Sequence, residues 1–131
     1  MCFKRENIVK FIDFLFNNEA LLIYLLILIV FLNIILFNNN STKLLLLNLI
    51  VIAAYFCLTN NKNKNVILIA SINFAIWGTI IEALVIKYSN LTLRYKNTMN
   101  NLYVPSWLFT IYIIFSIGAI FTFEAFKILI D

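Results

Sequence analysis

Histidine is absent from this 131-residue sequence, and the other side chains that commonly build reactive sites are scarce. The two cysteines, Cys2 and Cys57, are too few for a thiolate metal site of their own and do not form a Cys-x-x-Cys pair. Without histidine the chain lacks the commonest general base, metal ligand and haem ligand. We therefore expect no cofactor.

Glycine, proline and charged residues are also scarce. Two glycines and one proline exclude a collagen-like chain or a disordered chain rich in these residues. Only 12% of the residues are charged and 63% are hydrophobic, whereas a soluble domain is about 25% charged and about 45–50% apolar. A globule of this size cannot bury so much apolar surface. The composition therefore predicts an integral membrane protein whose apolar surface is covered by lipid.

The net charge of +4 is spread over the polar ends of the apolar runs, and no cluster of basic residues is present. This distribution is typical of membrane orientation and of contact with anionic lipid. We therefore expect the lipid bilayer as a partner and no nucleic acid.

Four long apolar runs, separated by polar segments, predict an all-α fold. We expect an integral membrane bundle of four transmembrane helices in a single domain, residues 1–131, with spans at about 20–37, 44–58, 66–88 and 105–123. Pro105 fits the first turn of the fourth helix, where its missing N–H costs nothing. The segment between the third and fourth spans is the longest of the predicted loops.

The residues before the first span predict a further helix. Asp13 and the polar residues after it interrupt any signal-peptide core. Ile8, Phe11, Ile12 and Leu15 follow the spacing i, i+3, i+4, i+7, which places them on one face of a helix. Such a helix lies either in the headgroup plane or at the extramembrane start of the first span, and the sequence leaves both alternatives open.

Several small and polar side chains fall inside the predicted spans, where an unpaired polar group costs several kcal/mol. One side of the third span and one side of the fourth carry Ser71, Ala75, Gly78, Gly118 and Thr122. Small residues at this spacing let helix backbones approach each other, so these two spans are predicted to pack together along them. A pore or a substrate groove along the same residues is the alternative. Asn33 and Asn48 are expected to form interhelical hydrogen bonds.

Glu82 is the candidate catalytic residue, because it lies about one turn inside the end of the third span. A carboxyl in apolar surroundings can act as a general acid or carry a proton. The alternative is that Glu82 reaches the membrane interface or pairs with a cation of the following loop. Tyr95 and Trp107 would line a pocket beside it. Glu124 lies near the opposite membrane face and is expected to pair with the lysine three residues later.

The pattern Trp77-Gly78-x-x-x-Glu82, followed by Tyr95 and then Val104-Pro105-x-Trp107-Leu108, resembles small bacterial four-helix membrane proteins of unknown function. More distantly it is similar to membrane enzymes of carotenoid biosynthesis, in which an intramembrane carboxylate precedes a loop and a proline-containing helix start. The resemblance covers residues 66–123 and about six positions. It implies an enzyme acting on an isoprenoid-like lipid, with Glu82 as the acid that protonates a double bond.

Three functions follow from these observations. The leading prediction is a non-catalytic subunit of a larger membrane assembly, because the chain carries one isolated intramembrane carboxylate and no histidine. Other membrane protein subunits are then its expected partners. The alternatives are the isoprenoid-lipid enzyme and a proton or ion pathway along Ser71, Asn73, Thr79 and Glu82.

The source and the membrane are predicted from composition alone. Asparagine, isoleucine, leucine, phenylalanine and lysine are abundant, and their AT-rich codons indicate an AT-rich genome. An organelle, an endosymbiont or a large DNA virus would fit that composition. The assembly is accordingly expected to be a respiratory-type complex of the mitochondrial inner membrane or part of a viral or host membrane.

Overall fold

The computed structural model describes residues 3–37, 39–88 and 105–130. These residues form five helices, α1 (Arg5–Leu15), α2 (Asn18–Phe37), α3 (Ser41–Leu58), α4 (Lys64–Tyr88) and α5 (Leu108–Ile130). The helices α2, α3, α4 and α5 are each long and apolar enough to cross a membrane. The predicted all-α bundle of four transmembrane helices is therefore confirmed.

Several helices begin or end a few residues away from the predicted bounds. α2 and α4 each begin slightly earlier than expected. α3 begins at Ser41 rather than at 44, because the Asn40 side chain accepts a hydrogen bond of 3.1 Å from a backbone amide of the first turn. α5 begins at Leu108 rather than at Pro105, whose carbonyl accepts a 3.2 Å hydrogen bond from the Leu108 amide in a turn. It continues to Ile130 rather than ending at 123.

The four long helices run up and down, with α4 against α5 as the most extensive contact and α2 against α3 as the next. The main core consists of buried residues from these four helices: Ile23, Leu26, Val30, Ile52, Tyr55, Ile67, Ala75, Ile113, Ile114 and Ile117. Only 22–28% of each apolar window is buried inside the protein. Most residues of these apolar windows are therefore not buried within the protein, as expected for helices surrounded by lipid.

α1 is a separate helix and not the start of the first span, because the helical path breaks after Leu15 and α2 begins at Asn18. Two of its rings pack on the last turns of α5. Phe14 stacks on Phe121 with ring centroids 5.0 Å apart, and Phe11 lies 6.2 Å from Phe126. The N-terminal helix is thus held against the far end of the chain. Its position in the headgroup plane stays a prediction.

Candidate functional site

Glu82 is joined to the neighbouring helix by a direct hydrogen bond. The hydroxyl of Tyr112 in α5 donates to Oε2 of Glu82 in α4, with an oxygen–oxygen distance of 2.5 Å. Glu82 lies near the end of α4 and Tyr112 near the start of α5, so the bond connects the end of one helix to the start of the next. Both side chains are half-buried. The acidic group thus receives a donor from protein, as polar groups in apolar surroundings require.

Three residues of α4, spaced four apart, form the surface on which Tyr112 lies. A Cβ atom at Gly78 would lie 2.8 Å from Cδ1 of the Tyr112 ring and 3.0 Å from its Cγ, so only glycine leaves room for the ring. Phe74, one turn earlier, packs edge-on against the ring, with centroids 5.9 Å apart. Glu82, one turn later, receives the hydroxyl. We call Phe74, Gly78 and Glu82 the Tyr112 seat.

The sequence pointed to Glu82 but not to Tyr112. Tyr112 lies within an apolar run that also contains phenylalanine and isoleucine, where a tyrosine is easily interpreted as a packing residue. The available signal was its hydroxyl, since a tyrosine in apolar surroundings usually finds a hydrogen-bond partner. A carboxylate and a phenol on neighbouring antiparallel helices are natural partners.

A second set of polar side chains connects three helices inside the same half of the bundle. Asn33 in α2 donates to Asn48 in α3 at 3.2 Å. Asn48 donates in turn to Oγ1 of Thr110 in α5 at 3.0 Å, and the Thr110 hydroxyl donates to the Trp107 carbonyl at 2.5 Å. Asn48 and Thr110 are 0% exposed. The expected interhelical hydrogen bonding of Asn33 and Asn48 is confirmed.

At the opposite end of the bundle, Glu19 connects the start of α2 to the turn after α3. Its carboxylate accepts hydrogen bonds from the Thr59 hydroxyl at 2.5 Å and from the Asn60 backbone amide at 2.8 Å. Two bonds to one carboxylate fix this turn against the helix.

A cavity of about 130 Å³ lies beside this carboxylate. It is lined by residues of all five helices and of the adjoining turns: Phe14, Asn17, Glu19, Ile23, Tyr55, Asn61, Ile67, Ile117, Ile120, Phe121 and Glu124. Glu124, which was expected to form an interfacial pair, thus shares a cavity with Glu19. The two carboxylates make this end of the bundle interior acidic.

The small residues predicted to pack α4 on α5 behave differently in the two helices. Ser71 and Ala75 of α4 are 0% exposed, and Gly78 contacts Tyr112 of α5. In α5, however, a Cβ atom at Gly118 would meet nothing within 4 Å. Thr122 is exposed and donates a 2.8 Å hydrogen bond to the carbonyl of Gly118 in its own helix.

Gly118 and Thr122 lie instead in an open groove of about 310 Å³ between α2 and α5. The groove is mostly apolar and is lined by Ile27, Val30, Phe31, Ile111, Ile114, Phe115, Gly118, Ala119 and Thr122. The expectation that Gly118 packs closely against α4 is therefore wrong, because this side of α5 faces α2.

Of the two predicted pocket residues, Tyr95 and Trp107, only Trp107 lies among the described residues. Tyr95 lies outside the described residues, so its place beside Glu82 stays a prediction. Trp107 lies half-buried in the turn before α5, where its carbonyl receives the Thr110 hydroxyl. Within residues 3–37, 39–88 and 105–130, no group of three or more cysteine, aspartate or glutamate side chains is placed to hold a metal ion.

No family model, no curated protein and no solved structure matches this chain. The resemblance to small bacterial membrane proteins and to carotenoid-biosynthesis enzymes therefore stays a prediction.

Proposed function

We propose that this chain is a non-catalytic membrane subunit of a larger membrane assembly. The observation that carries the proposal is the hydrogen bond between Tyr112 and Glu82. Glu82 lies within α4, one of the apolar helices, and its hydrogen bond connects this helix to α5. A group with this structural task is poorly suited to be released and protonated in each turnover of an enzyme.

The other polar side chains of the same half of the bundle support this interpretation. Asn48 uses its carbonyl oxygen for Asn33 and its amide nitrogen for Thr110. Interhelical hydrogen bonds of this kind stabilise helix association in membranes, by about 0.6–2 kcal/mol each. The hydrogen bonds of Asn33, Asn48 and Thr110 thus hold α2, α3 and α5 together.

The outer surface supports a role in assembly. Less than a third of each apolar window is buried within the chain, so neighbouring subunits and lipid have a large apolar surface to contact. The partners that we propose are the bilayer and other membrane protein subunits. The abundance of residues with AT-rich codons favours a respiratory-type complex or a viral membrane as the setting.

The two alternatives have less support from the arrangement of the described residues. An acid acting on an isoprenoid chain should border an apolar groove, but the groove between α2 and α5 does not include Glu82 in its lining. A proton pathway along Ser71, Asn73, Thr79 and Glu82 needs these groups to line one route, but Asn73 is exposed on the outside of α4 whereas Ser71 is buried in the bundle.

The proposal is tested by blue-native electrophoresis of gently solubilised native membranes that carry the tagged protein, followed by mass spectrometry of the band. We expect a complex well above the mass of a dimer, with other membrane proteins in it. Glu82→Gln, which retains an acceptor for Tyr112, should enter the same complex. The complex that contains this variant should have the same activity as the wild-type complex. Migration only as a monomer or homodimer, or loss of activity in a fully assembled Glu82→Gln complex, would contradict the proposal.

A further inference from the structure

Asn73 is a polar side chain on the outer side of a membrane-spanning helix. It lies about 14 Å along the axis from the start of α4, a helix of 25 residues, and therefore well inside the apolar segment. Its side chain is exposed. Among the residues that the structure describes, no hydrogen bond to the Asn73 side chain is recorded. Hydrocarbon cannot supply one, and an unpaired amide there costs several kcal/mol.

The exposed side of α4 is built around this amide. Apolar residues lie before and after Asn73 at spacings of three or four along this side, with Ile76 and Trp77 adjacent to each other, and all of them are exposed: Val66, Ile69, Ile76, Trp77, Ile80 and Leu84. The Tyr112 seat and Ala75 lie on the other side of the helix. Spacings of three and four residues are those of a seam between two helices, and a single asparagine in such a seam fixes its register.

We propose that this side of α4 binds the same side of α4 in a second copy of the chain, with the two Asn73 side chains hydrogen-bonded to each other. A carboxamide carries both a donor and an acceptor, so two of them are complementary. Copies that insert in the same orientation place Asn73 at the same depth without further adjustment. A two-fold axis along the membrane normal then brings identical residues together, which is the commonest symmetry of oligomers.

This inference deepens the proposed function by naming a contact surface, and it rests on that function only in treating the chain as a membrane-embedded subunit. A second copy fits the surface better than a different helix does, because a different helix would need its own polar group at the same depth. The rest of the surface is apolar and could pack against any apolar helix, so the Asn73 amide determines which partner binds.

Self-association is measured by fluorescence energy transfer between donor-labelled and acceptor-labelled purified protein in liposomes, over a series of protein-to-lipid ratios. Asn73→Leu should weaken association about three- to thirty-fold, the range expected for losing one interhelical hydrogen bond. Asn73→Gln, which keeps the amide, should restore most of the affinity. Thr122→Val removes an exposed polar group from another helix and should match the wild type. No association of the wild type, or equal affinities for wild type and Asn73→Leu, would overturn the inference.

Disulfide cross-linking locates the surface independently of the amide. In a chain with Cys2→Ser and Cys57→Ser, we expect Ile80→Cys on the Asn73 side of α4 to cross-link rapidly under mild oxidation. Ile50→Cys, on the exposed side of α3, should cross-link slowly. Equal rates would overturn the inference. A dimer in liposomes that joins no larger complex in native membranes would contradict the proposed function alone, and a large complex with unchanged Asn73→Leu association would contradict this inference alone.

Discussion

The ring of Tyr112 occupies the space that a side chain at Gly78 would need. A Cβ atom there would approach the ring carbons to 2.8–3.0 Å. Phe74 and Phe115 contact the ring with centroids 5.9 Å and 6.3 Å away, so a shift of the ring would disturb both contacts. The contact of α4 with α5 near the candidate site therefore depends on the absence of a side chain at one position.

Gly78→Ala should destabilise the bundle by about 1–3 kcal/mol, the usual cost of inserting a methyl group into a packed contact. The free energy of unfolding in mild detergent, titrated with a denaturing detergent, measures the effect. Gly118→Ala is the matched control, since its added methyl group would meet nothing within 4 Å. The control should be neutral or slightly stabilising, because alanine favours helix over glycine. Equal losses for both variants would show that crowding at Tyr112 is not the cause.

Tyr112→Phe should destabilise the protein by about 1–3 kcal/mol, because the Glu82 carboxylate loses a hydrogen-bond donor in apolar surroundings. Glu82→Gln should cost less, since the amide oxygen still accepts a bond from the phenol. In the double variant the two losses should not add, and the coupling energy should exceed about 0.5 kcal/mol. Additive losses would mean that the two side chains act independently.

Asn48→Leu should cost more stability than Asn33→Leu. Asn48 is 0% exposed and hydrogen-bonds to two helices, through Asn33 and Thr110. Asn33 makes only one of these bonds. The loss of free energy of unfolding should therefore be about 0.6–2 kcal/mol larger for Asn48→Leu, the contribution of one interhelical hydrogen bond. Unfolding titrations under identical conditions compare them. The opposite order would contradict the connection through Asn48.

Glu19→Ala should release the turn after α3. The Asn60 amide loses its 2.8 Å bond to the carboxylate, and its hydrogen exchange should accelerate about tenfold, equivalent to about 1.4 kcal/mol. Exchange followed by NMR at residue resolution measures the rate. The Lys43 amide, bonded to the Asn40 side chain at 3.1 Å at the other end of α3, is the internal control and should keep its rate. An unchanged rate at Asn60 would exclude the carboxylate as its protecting group.

The sequence predicted the long helices because each is a long run of apolar residues, and that signal needs no tertiary information. Of the two hydrogen-bonded residues of the candidate site, the sequence predicted only Glu82. Glu82 stands out as an acid in an apolar run, but Tyr112 lies 30 positions later, and the rotation of one helix against the other is set by packing. The same limitation explains Gly118. Its surroundings resemble those of Gly78 in sequence, but it faces α2 across an open groove.

The position of α1 has a consequence for biosynthesis. Its contacts at Phe11 and Phe14 are made with Phe126 and Phe121, at the far end of the described chain. At synthesis rates of about 5–20 residues per second, α1 waits on the order of ten seconds before its partner helix has been made. During that interval its apolar side is available to lipid or to a chaperone. α1 therefore reaches its final place only after α5 has been inserted.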